Sequence, residues 1–174
     1  MYFLKRLKRV SAVNVRLLVY EAFIKSHICY GIEAWYSGLT KEQKDIIYKI
    51  QKRAIRIIRG KLEHTNVSFR ALNILKVEDM YETSVVNRAL KVQCHNTHPL
   101  NKYYTIIERN CRSQGQLRPK VRGKSIATQC KIINKNSVIM KAETSAKTKI
   151  KHLTEEKIQG YSTDCVTTNC HICA

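Results

Sequence analysis

The chain has 174 residues, which gives one compact domain or one domain with a tail and excludes a multidomain enzyme. Thirty-two Lys and Arg against 13 Asp and Glu leave a formal charge of +19, while 44% apolar residues is a foldable proportion. Only three aspartates occur, Asp45, Asp79 and Asp164, too far apart in sequence to share the short acidic loop that two-metal phosphoryl chemistry would use.

In chain order, Met1 to Arg9 is basic with no apolar run behind it, so no secretory leader is expected. Its Lys5-Arg-Leu-Lys-Arg9 reads either as a nuclear localisation signal or as a short basic helix face. Val13, Leu17, Tyr20, Ile24 and Ile28 recur at three and four residues and predict a helix over about 12–30. A second helix runs from a Thr40-x-x-Gln43 capping box to Gly60, a natural stop. On it, Gln43, Ile46, Ile47, Ile50, Ala54, Ile57 and Ile58 form the expected apolar stripe. Lys44, Lys49, Lys52, Arg53, Arg56 and Arg59 take the remainder.

A short helix over Ser68 to Leu75 and a longer one over Glu78 to Cys94 follow, the latter with Tyr81, Val85, Ala89 and Val92 inward. The acidic residues around Glu78 and Asp79 suit a helix start, which the macrodipole favours. Pro99 closes the helical half. Lys102 to Ile107 and Ser125 to Ile133 are β-branched and aromatic, suited to short strands or extended segments, with the basic stretch Arg112 to Lys124 between them. A weak helix is expected over about 144–159.

The expected fold class is therefore mainly α. A bundle of about four helices occupies 1–98, a loosely ordered basic region with short strands 99–143, and a weak helix with a Cys-containing tail 144–174. Leu, Ile, Val and Phe thin out in the rear part, where roughly 20% is the limit for burying enough surface. Charge follows two blocks: thirteen Lys and Arg against four acids in 1–60, and thirteen against two in 101–151.

No stretch longer than ten residues lacks a charged side chain, and a membrane-spanning helix needs about 20 apolar ones, so no span is expected. The seven cysteines are expected to be reduced, in an intracellular compartment, nucleus or cytoplasm. Cys165, Cys170 and Cys173 have the residue type of a zinc site but not its paired Cys-x2-Cys spacing, and the plainer reading is a tail with neighbouring thiols. The His27/Cys29 and Cys94-His95 pairs read as ordinary packing rather than as a thiolate with its base. The cationic helix face reads as phosphate neutralisation or, more plainly, as a solvated surface. The total charge favours the first.

Two strings go beyond composition. Tyr20-Glu-Ala-Phe-Ile-Lys-Ser-His-Ile-Cys-Tyr-Gly-Ile-Glu-Ala-Trp35 and Ile50-Gln-Lys-Arg-Ala-Ile-Arg-Ile-Ile-Arg-Gly60 resemble the region just after the polymerase core in reverse transcriptases of non-LTR (LINE-type, jockey-like) retrotransposons. Leu72-Asn-Ile-Leu-Lys-Val-Glu-Asp79 and Asn110-Cys-Arg-Ser113 are similar to later strings of that family, with Cys111 in place of a Thr. The match thins after about residue 125, where the family's Gly-Pro and Trp are missing.

The resemblance implies a thumb and C-terminal extension that grips a template–primer duplex. Its parent would be an RNA-directed DNA polymerase using Mg2+ held by palm aspartates. This chain has no Asp-Asp and no endonuclease-like block. It therefore reads as a non-catalytic C-terminal fragment, inactive alone, with no cofactor of its own. Its expected partners are RNA, DNA or their hybrid, and the missing polymerase core. The residues expected to meet the backbone are Lys44, Lys49, Lys52, Arg53, Arg56 and Arg59, then Arg112, Arg118, Lys120 and Arg122. Tyr30 and Trp35 are expected to fill the core between the first two long helices. The alternative is a stand-alone helical interaction protein or a remnant of a degenerate mobile element.

Overall fold

The structure is a computed structural model and describes residues 2–60, 69–94, 99, 104–106, 116–119, 124–137 and 145–161. It is mainly helical: α1 (Tyr2–Val10), α2 (Val13–Val19), α3 (Ser26–Cys29), α4 (Ile32–Trp35), α5 (Lys41–Arg59), α6 (Val77–Cys94), α7 (Lys124–Lys135) and α8 (Ala146–Gln159). Strands β1 (Tyr104–Ile106) and β2 (Leu117–Pro119) form one antiparallel pair, with Thr105 opposite Arg118.

The chain divides into two compact units, one of 1–30, 40–80 and 155–174, the other of 31–39 and 81–154. In the first, the predicted helix over 12–30 is continuous but not uniform. Between α2 and α3, Tyr20–Lys25 forms a wider π-helical turn. Tyr20 is fully buried, while Val13, Leu17, Ile24 and Ile28 are half-buried on the face their spacing predicts. The basic N-terminal segment is the short helix α1, anchored by buried Leu4 with Lys5, Arg6, Lys8 and Arg9 exposed.

Helix α5 starts and stops where predicted. The Thr40 hydroxyl accepts from the Gln43 amide while the Gln43 side chain accepts from the Thr40 amide, at 3.3 and 3.0 Å. Gly60 ends it at φ 73°, a left-handed conformation that a side chain would strain. Its own backbone amide and then the Thr40 hydroxyl hold the Glu42 carboxyl below its usual range.

The buried face of α5 is rotated from the predicted stripe. Gln51, Lys52, Ala54, Ile55 and Ile58 point inward, whereas Ile46 and Ile50 are 56% and 47% exposed. The cause is Gln51. Its amide nitrogen donates to the Tyr20 hydroxyl at 3.0 Å and the Leu75 carbonyl at 2.8 Å, and its oxygen accepts from the Val77 amide at 3.1 Å. A buried amide so fully partnered fixes the helix's rotation, because any other placement would orphan several polar groups.

Of the helix predicted over Ser68 to Leu75, the described part ends at 71, with Asn73 at φ 54° just beyond it, and Ser68 lies outside the described residues. Phe69 is buried there, stacked on Tyr48 and edge-on to Tyr161. Tyr161 in turn donates to Asp79 at 2.6 Å and accepts from the Lys76 amide at 2.9 Å, and Lys157 pairs with Asp79 at 3.0 Å. Burial and that bond to a carboxylate push the Tyr161 phenol far up.

In the second unit, Tyr81, Val85, Ala89 and Val92 of α6 are buried as expected, with Val86 and Leu90 beside them. Ser125 to Ile133 is not extended. It lies in α7, with Cys130, Ile132 and Ile133 buried. Its Ile and Thr content favours strands, but burial of one face of a helix outweighs that preference. The partner of β1 is instead β2, within the stretch expected to be a connection. Glu33 joins α4 to α6 through Arg88 at 2.8 Å and the Ser84 hydroxyl at 2.6 Å. Gln129 of α7 accepts from Arg88 and donates to the Glu33 carbonyl.

Candidate nucleic-acid interface

The cationic residues predicted on α5 do not act as one set. Lys49 and Arg53 are exposed, and Lys44, Arg56 and Arg59 are half-buried. Lys52 is only 5% exposed, with its ammonium 5.3 Å from the Tyr48 ring. Its ammonium is engaged in a cation–π contact, which sets it apart from exposed Lys49 and Arg53.

Tyr30 and Trp35 are also displaced from their expected place. Tyr30 is 86% exposed, because Gly31 at φ 58° turns the chain directly after it. Trp35 is half-buried and edge-on to Tyr36, which itself packs on Tyr81. Buried here are Tyr20 in the first unit and, separately, Ile32 and Tyr36 in the second.

Arg118 is exposed in β2 and belongs to the other unit. Arg112, Lys120 and Arg122 lie outside the described residues, as do Cys165, Cys170 and Cys173. Among the described residues no group of His, Cys, Asp and Glu could hold a metal ion. The Cys29 thiol faces the Met80 sulfur at 3.9 Å and is pushed above its usual value by burial, with Lys25 opposing, which is the wrong direction for a nucleophile. The His27 ring nitrogen Nδ1 is occupied by the Phe23 carbonyl, one turn back. Cys94 and His95 fall outside the described side chains.

What the fold adds is the first helix. Helix α1 packs on α5, and Arg16 of α2 reaches the far end of α5, where its Nη1 donates to the Ile57 carbonyl at 3.2 Å. A methyl group placed on Gly60 would meet Arg16 Nη1 at 3.6 Å and Lys8 Cε at 3.7 Å. Three helices thus bring cations to one exposed glycine. Neither 1–20 nor 46–62 contains an acidic residue.

A helix C-terminus carries roughly −0.5 elementary charge, which attracts one neighbouring cation. Lys8, Arg16, Arg56 and Arg59 bring four formal charges to that end. The sequence does not announce Lys8 and Arg16 as partners of α5, because 8, 16 and 60 are remote along the chain. The only signal was the acid-free composition of both segments. No described helix is long and apolar enough to cross a membrane. No known protein family, curated protein or solved structure matches the chain.

Proposed function

We propose that this chain is a non-catalytic helical module that grips a nucleic-acid backbone, the thumb-side C-terminal part of a non-LTR retrotransposon reverse transcriptase. The observation that carries the reading is the acid-free surface of α1 and the second half of α5. There Lys5, Lys8, Arg9, Lys49 and Arg53 are exposed in one unit. Such a surface gains affinity by releasing counterions from phosphates. The strings behind the family resemblance supply its frame: Gln51 and Ala54 are core residues of α5, and Gly31 sets the turn into α4.

The reading is tested by changing Lys49, Arg53, Arg56 and Arg59 together to Gln, leaving buried Lys52 alone. Fluorescence anisotropy with an RNA–DNA hybrid at two salt concentrations, with circular dichroism on the same samples, gives the result. Wild-type affinity should fall steeply with salt, and the variant should lose most binding while keeping its helix signal. Equal affinity for both proteins at fixed salt overturns the reading.

One observation favours a second reading, a helical protein-interaction module. Val15, Leu18 and Phe23 are exposed along one helical stretch, as are Ile46 and Ile50 on α5. Binding of the hybrid that is weak and insensitive to salt would favour it.

A further inference from the structure

We infer that the corner where α1, α2 and the end of α5 meet is a seat for one phosphodiester group, held between the Lys8 ammonium and the Arg16 guanidinium beside Gly60. The inference rests on the nucleic-acid reading and gives it a location. Gly60 is exposed and has no side chain to block the approach, and the two cationic side chains come within contact distance of the same point beside it. Neither cation has a carboxylate partner among the described residues.

Arg16 makes the case sharper. The residue is only 7% exposed, and of its five N–H donors the one with a described acceptor is spent on the Ile57 carbonyl. Its Nε has no hydrogen-bond partner among the described residues. A guanidinium taken out of water without an anion is costly, and two cations crowded together repel. A phosphate oxygen pair beside Gly60 would answer both, since guanidinium and ammonium groups donate to the same anion.

The seat belongs to a line of charge rather than standing alone. Lys5 and Arg9 flank Lys8 on the exposed side of α1, and Lys49 and Arg53 lie along α5, on which α1 packs. That spacing of cations suits a polymer of phosphates better than a single small anion.

The test is a salt titration of hybrid binding by the full chain and two charge-matched variants, Lys8→Gln and Lys147→Gln, the latter on the exposed start of α8. Lys8→Gln should lower the slope of log affinity against log salt by about 0.9, the amount expected for one lost phosphate contact, with Lys147→Gln near wild type. Because Arg16 also caps α5, Arg16→Gln is the companion variant, read where circular dichroism shows the helix signal intact and expected to lower the slope similarly. If Lys8→Gln and Lys147→Gln behave alike while wild type binds, the seat is wrong and the broader reading survives. If wild type ignores the hybrid at low salt, the reading and the seat both fall. Lys8-dependent binding to phosphatidylserine vesicles without binding to the hybrid would replace the proposed ligand with a lipid.

Discussion

Helices α5 and α8 are both basic, but their charges run in opposite directions. In α5, Glu42 and Asp45 come first and Arg56 and Arg59 last. In α8, Lys147, Lys149 and Lys151 come first, and Glu155 and Glu156 follow. The order in α5 agrees with the helix macrodipole, worth about 0.3–1 kcal/mol per charge, and the order in α8 opposes it. A cationic C-terminal end is therefore weak evidence of a ligand by itself. What strengthens it on α5 is the arrival of Lys8 and Arg16 from two other helices.

The contrast also says that the order of charges along the axis holds neither helix. Helix α5 is fixed from inside by Gln51, and α8 by buried Leu153 and Ile158 and by the Tyr161 and Lys157 contacts to Asp79. The largest expected effect follows. Gln51→Leu leaves the Tyr20 hydroxyl, the Leu75 carbonyl and the Val77 amide without their partner, at about 1–3 kcal/mol each for buried groups. Urea unfolding should show a loss of at least about 3 kcal/mol; a loss below about 1 kcal/mol would mean that packing, not this amide, sets the rotation of α5.

The same anchor can be read by titration. Burial pushes the Tyr20 phenol up to about 12, with the Gln51 bond opposing. The folded protein then holds a proton that the unfolded chain releases near 10, so stability is intact below pH 10 and declines as pH rises toward 12. The contribution of one such group is up to about 1.4 kcal/mol per pH unit. Tyr20→Phe should flatten that decline only in part, since burial also raises the Tyr81 and Tyr161 phenols and the Cys29 and Cys130 thiols. An unchanged pH profile would remove Tyr20 from the account.

The anchor of α8 is smaller. Tyr161→Phe removes the bond to Asp79 and leaves the Lys76 amide unpaired, and should cost about 1–2 kcal/mol in the same unfolding experiment. Smallest of all are charge reversals at the helix ends. Lys147→Glu should stabilise by about 0.3–1 kcal/mol and Arg59→Glu should destabilise by a similar amount, both fading in high salt. Two changes of the same sign would end the comparison between the helices.

Local rules were legible in the sequence. Thr40, Gln43 and Gly60 declared the ends of α5 because capping depends on neighbours alone, and the inward positions of α6 followed from spacing. The rotation of α5 was not legible, since a stripe of isoleucines outweighs one glutamine on any apolar scale while the fold has built its polar hub on that glutamine. Residues 125–133 misled through their β-branched side chains, whose preference is weak beside burial. For the proposed interface, the cations of α5 could be named from sequence. Composition does not set Lys52 apart from them, the contact with Tyr48 does, and the meeting of Lys8, Arg16 and Gly60 exists only in three dimensions.

The π-helical turn at Tyr20–Lys25 carries one residue more than an α-helical turn would need. It behaves as a single-residue insertion absorbed without breaking the helix, and it should be reversible. Deleting exposed Glu21 or Ala22 would draw the stretch back to an ordinary winding, whereas deleting one residue from the middle of α5 would swing Gln51 off its three partners. The chain's tolerance of length changes is thus unevenly distributed, with slack stored in the turn that follows Arg16 and none in the helix it caps.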